Sequence, residues 1–130
     1  MKTILIVDDD ADLRTMMRRV LEGEGYRVRE AEDGFVGIDL IDELEPDLVL
    51  LDVSMPLMSG SDVLASLARR KGGRVPKVIT MSGRRSAVSP TKCFLLKPVS
   101  ATLLTAVVRD FCGGPGTPIP GAERATPRHV

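Results

Sequence analysis

Apolar and polar positions follow two kinds of pattern along this chain. Ile4-Leu5-Ile6-Val7 and Leu48-Val49-Leu50-Leu51 are unbroken apolar runs, as strands buried on both faces require. Tyr26 to Ala31 alternates instead, which predicts a half-exposed edge strand. Val75 to Met81 and the short Phe94-Leu95-Leu96 predict a fourth and a fifth strand. Between these runs the apolar spacing turns helical. Leu13, Met16, Met17, Val20 and Leu21 mark a first helix, stopped at Gly25. Phe35 to about Leu44 predicts a second, ended before Pro46. Val63, Leu64, Leu67 and Ala68 mark a third. Leu103, Leu104, Val107, Val108 and Phe111 mark a closing helix.

Strands separated by helices imply right-handed crossovers and a parallel sheet. For five strands the expected architecture is a doubly wound α/β sheet of order 2-1-3-4-5. In such a sheet the functional crevice lies at the carboxyl ends of the strands. Asp8, Asp9 and Asp10 follow the first strand, Asp52 the third, Ser82 and Gly83 the fourth, and Lys97 and Pro98 the fifth. Strands one and three are neighbours in this order, so Asp8 or Asp9 comes close to Asp52. Converging carboxylates repel one another unless a cation joins them. A hard divalent ion such as Mg²⁺ suits two or three carboxylates and keeps waters that a phosphate can replace. Taken singly, these residues have ordinary explanations. Asp10 is expected to be the N-cap of the first helix, Ser82 a turn residue and Lys97 a surface charge. Asp52 is harder to explain that way, because a carboxylate ending a buried strand is costly unless paired or metal-bound. Their joint placement at four strand ends is the specific signal.

Composition changes this picture in three ways. The chain has 130 residues with 18 Lys+Arg against 18 Asp+Glu, so its net charge is zero. That balance argues against bulk electrostatic binding to nucleic acid or membrane, and the expectation is a protein with neither as partner. Cys93 and Cys112 are too few for a disulfide framework. No apolar run approaches the roughly 20 residues of a membrane span. A reduced, cytoplasmic protein is therefore expected. From Gly113 onward four prolines and four glycines fall within eighteen residues. Residues 1–112 are expected to form the domain and 113–130 a tail unable to build its own core.

Val7-Asp8-Asp9-Asp10, Asp52-Val53-Ser54-Met55-Pro56-Leu57-Met58-Ser59-Gly60, Met81-Ser82-Gly83 and Leu95-Leu96-Lys97-Pro98 together resemble the receiver domain of two-component response regulators. The resemblance covers about residues 3–112 and implies a flavodoxin-like fold. It implies that Asp52 is the phosphoacceptor, served by a histidine kinase or a histidine phosphotransfer protein. Asp8, Asp9, Asp52 and the backbone carbonyl of Ser54 would hold Mg²⁺. Lys97 and Ser82 would bind phosphoryl oxygens. Ser82 and Phe94 would be the switch pair, and Lys97-Pro98 would be a cis bond. Ser54 and Arg84 would tune phosphoryl lifetime, with Arg84 shielding the acyl phosphate from water. Catalysis would be confined to the chain's own phosphorylation and dephosphorylation, so it would not be an enzyme in the usual sense.

One departure from the family stands out. Only eleven residues separate Ser82 from Phe94, and Pro90 lies among them. A βαβ crossover needs at least about 10–12 residues. The helix between strands four and five is therefore expected to be missing or reduced to a turn. A homodimer covering the exposed face is one consequence. No DNA-binding segment is legible after the receiver, so output is expected through contact with a downstream protein. Two alternatives use the same residues. One is a docking module independent of phosphorylation. The other is a phosphohydrolase of the haloacid-dehalogenase type, which would want a second Asp where Ser54 stands.

Overall fold

In the computed structural model, Thr3–Val7 forms β1, Arg27–Ala31 β2, Leu48–Asp52 β3, Lys77–Ser82 β4 and Phe94–Leu96 β5. The helices are α1 (Ala11–Gly23), α2 (Gly34–Leu44), α3 (Gly60–Ala68) and α4 (Ala101–Cys112). The structure describes residues 1–55, 58–69, 76–83 and 94–112. The expected loss of the crossover helix falls on 84–93, and the dimer face built on it, Arg84 and the tail 113–130 likewise lie outside the described residues. The side chain of Phe94 does too.

The five strands form one parallel sheet of order β2-β1-β3-β4-β5, as the alternation of elements predicts. Strand parity divides the apolar runs between two layers. Ile4, Ile6, Leu48, Leu50, Ile79 and Met81 pack with Met17 and Leu21 of α1 and with Leu104 and Val108 of α4. Leu5, Val7, Val49 and Leu51 pack with Ile41 of α2 and with Val63 and Leu67 of α3. Each such side chain, fully buried, contributes about 1.5–3 kcal/mol. This double burial explains why β1 and β3 read as unbroken runs. β2 is an edge strand: Val28 is buried between exposed Arg27 and Arg29, and Ala31 is buried on the opposite face at the strand's end.

The helix starts are set by local polar chemistry. Asp10, in extended backbone, accepts from the N–H groups of Asp12 and Leu13 and caps α1 as expected. Asp33 caps α2 through the Val36 N–H. Ser59 and Asp62 form a reciprocal capping box on α3. Ser100 Oγ accepts from Leu103 N–H at the start of α4. Helix α1 ends two residues before Gly25, whose φ of 98° turns the chain into β2. Helix α2 ends where Glu45 leaves the right-handed region ahead of Pro46. β4 runs to Ser82, one residue further than the apolar pattern predicts. The carbonyl of Ser82 accepts from Lys97 N–H at 2.8 Å, which ties the ends of β4 and β5 together.

Candidate functional site

The register of the sheet assembles the site. Val7 pairs with Leu51, so the residues that follow, Asp8 and Asp52, stand side by side at the carboxyl edge. Asp8 is fully buried and Asp52 nearly so, while Asp9 is exposed. One carboxylate oxygen from each of Asp8, Asp9 and Asp52 lies within 4.8 Å of the others. Lys97 enters from the end of β5 through a cis Lys97–Pro98 bond. Its Nζ lies 2.8 Å from Asp8 Oδ2 and 3.4 Å from Asp52 Oδ2.

The remaining oxygens of the pocket are held by nearby backbone. Asp8 Oδ1 accepts from Asp10 N–H at 2.9 Å, and Asp52 Oδ1 accepts from Ser54 N–H at 3.0 Å. Asp8 Oδ2 has no well-directed hydrogen bond, although it is sealed from solvent. Its compensation is the ion pair with Lys97. A buried carboxylate oxygen with a charge beside it but no directed donor is a suitable donor to a cation. Three carboxylates meeting at a strand edge form the all-oxygen donor set that Mg²⁺ prefers. The residues present therefore fit the ion.

Burial pushes the Asp52 carboxyl above its ordinary value. The Ser54 N–H opposes that rise, the charge of Asp8 adds to it and Lys97 opposes it, and the net direction is up. Burial alone would lower Lys97. The paired carboxylates of Asp8 and then Asp52 more than reverse this, so the ammonium is held above its ordinary value. The pocket thus favours the charged form of Lys97, while burial disfavours the charged form of Asp52.

Of the residues singled out from the sequence, Asp8, Asp9, Asp52 and Lys97 are brought into one cluster. Ser82 is fully buried at the adjacent strand end, and Ser54 is exposed on the loop leaving β3. Two residues were not legible as part of the site. Arg14 donates from Nη1 to the Asp8 carbonyl at 2.6 Å and from Nε to Glu30 Oε1 at 3.0 Å. The available signal was an arginine one turn into the helix capped by Asp10, with an acidic residue near the end of β2.

A doubly wound parallel sheet carries an acidic cluster and a lysine at its carboxyl edge. The family profile described as the response regulator receiver domain matches residues 4–109. The chain belongs to that family. It is 37% identical over 113 residues to the DNA-binding response regulator MtrA of Mycobacterium tuberculosis, covering 82% of this chain and 48% of that protein. The chain thus spans about half the length of the curated relatives it matches. Among solved structures it is similar to the response regulator protein TrrA of Thermotoga maritima in complex with Mg²⁺-BeF. That likeness has a TM-score of 0.73 and 30% identity, over 84% of this chain and 97% of the other. A CheY-like receiver domain from Methanospirillum hungatei shares the fold, with a TM-score of 0.79 at 24% identity over 86% of this chain and 94% of the other.

One expectation is corrected here. Zero net charge argued against nucleic acid as a partner, yet the relatives include proteins named as DNA-binding response regulators. The physical reason is that net charge sums over the residues counted. The 18 basic and 18 acidic residues counted here span only about half the length of those relatives. No helix among the described residues is long and apolar enough to cross a membrane.

Proposed function

We propose that this chain is a phosphorylation-driven switch in a two-component relay, with Asp52 as acceptor. The observation that carries this reading is the meeting of Asp8, Asp9 and Asp52 with Lys97 at the carboxyl ends of β1, β3 and β5. The donor is a phosphohistidine on a histidine kinase or a phosphotransfer protein. An Asp52 carboxylate oxygen attacks phosphorus, the P–O bond forms, the P–N bond breaks, and the imidazole takes the electron pair. Asp8, Asp9, Asp52 and the Ser54 carbonyl would hold Mg²⁺, which supplies charge neutralisation at the transferring phosphoryl oxygens. Lys97 exchanges part of its carboxylate pairing for a phosphoryl oxygen, acting as a point charge. Ser82 donates its hydroxyl to another oxygen. The chemistry is confined to the chain's own phosphorylation and dephosphorylation, in the cytoplasm. Likeness to MtrA supports a DNA-binding response as the output of this switch.

Incubation with a small phosphodonor and Mg²⁺, followed by intact-mass measurement, tests the proposal. The wild type is expected to gain the mass of one phosphoryl group and Asp52→Asn none. An unmodified wild type would instead favour a docking role independent of phosphorylation.

A further inference from the structure

Asp8 is the most completely held residue of the pocket. Its N–H donates to the Ala31 carbonyl at 3.1 Å, and its Oδ1 accepts from Asp10 N–H. Its Oδ2 faces Lys97. Its carbonyl accepts from Arg14 Nη1 at 2.6 Å. That carbonyl belongs to the peptide plane joining Asp8 to Asp9, so fixing it fixes the direction in which Asp9 leaves the sheet. Asp9 needs such help, because its carboxylate is exposed and shows no partner among the described residues.

Arg14 is itself well anchored. Its side chain is 15% exposed, and its Nε donates to Glu30 Oε1 at 3.0 Å. The other Glu30 oxygen accepts from Arg18 Nη1 at 3.0 Å, and Arg18 Nε reaches Glu22. The planar guanidinium therefore spans two acceptors, one on β2 and one at the end of β1, with fixed separation. A lysine ammonium has no such fork.

We propose that Arg14, braced by Glu30, is a positioning residue that orients the Asp8–Asp9 turn for the divalent cation. This rests on the metal reading of the pocket given above. Its sign separates it from simple electrostatics. Removing a positive charge near a cation site should tighten cation binding. Removing a positioning partner loosens it, by about 10–100-fold for supporting residues of metal sites.

Calorimetric titration with MgCl₂ alone decides between these, on the full chain, with urea unfolding in chelator to confirm that each variant is folded. Arg14→Met is expected to bind Mg²⁺ about 10–100-fold more weakly than wild type. Arg14→Lys keeps the charge and is expected to be weakened as well, because a point-like ammonium lacks the rigid planar fork that fixes the two acceptors relative to each other. Arg19→Met, on an exposed position of the same helix, is expected to bind as wild type. Unchanged or tighter binding by Arg14→Met overturns the inference, as does wild-type affinity in Arg14→Lys should Arg14→Met fail to fold. A wild type that binds no Mg²⁺ overturns the metal reading, and the inference with it.

Discussion

Replacing Lys97 by methionine tests the electrostatic logic of the pocket most directly. The change keeps the length of the side chain and removes its charge. It leaves Asp8 Oδ2, which is buried and has no directed hydrogen bond, beside Asp52 with nothing positive between them. Breaking a buried pair by deleting one partner costs about 3–5 kcal/mol, because an uncompensated charge remains. The Lys97 side chain is 21% exposed, so water screens part of this, and about 2–3 kcal/mol is expected. For a domain of this size that lowers the melting midpoint by about 8–12 °C.

The pH dependence has a definite sign. Lys97 has a raised value in the folded state, so its contribution is complete at neutral pH and is lost only as pH rises through that raised value. Asp52 is raised as well, so wild-type stability declines as pH climbs from the ordinary aspartate value, about 3.9, through the raised one. The deficit of Lys97→Met should therefore shrink in acid, where the carboxylates take up protons. Urea unfolding in chelator at neutral and acidic pH measures both effects. Adding Mg²⁺ at about a hundred times its dissociation constant should return about 2.7 kcal/mol to either protein. A variant as stable as the wild type in chelator at neutral pH would refute the reasoning.

Other changes probe separate links between sequence and site. Asp52→Asn removes the ionised carboxylate that burial disfavours, so its metal-free stability at neutral pH should equal or exceed that of the wild type, read by the same unfolding curves. Asp10→Ala removes the α1 cap and should cost about 0.5–2 kcal/mol. Leu50→Ala opens the layer between the sheet and helices α1 and α4 and should cost about 2–5 kcal/mol in chemical denaturation. Glu30 is pushed upward by burial but drawn further down by Arg18 and Arg14, to a net lowered value. Its stabilising contribution should be present above the ordinary glutamate range and fade as pH falls through the lowered value. Glu30→Gln should flatten that part of the stability–pH curve.

The curated relatives also bear on how charge is best read. Zero net charge described these residues correctly and still misdirected the expectation about nucleic acid. Net charge averages away local fields, and the local acidic cluster proved the informative quantity.

Element order, strand character and the strand-end residues were all legible in the sequence, because each depends on neighbours a few positions away. Period-two and period-3.6 spacing mark burial locally. The N-cap of Asp10 and the turn at Gly25 are local chemistry too. Even the nearness of Asp8 to Asp52 followed from chain topology, since crossovers of one hand leave few sheet orders to consider. Tertiary structure alone decided which groups touch. That Lys97 sits nearer Asp8 than Asp52, and that one orphaned oxygen depends on it, required the register of four strands. That Arg14 reaches the Asp8 carbonyl while gripping Glu30 required α1 to lie across the ends of β1 and β2. Spacing along a chain determines which face a side chain takes. Only the packing of layers determines which atoms it meets there.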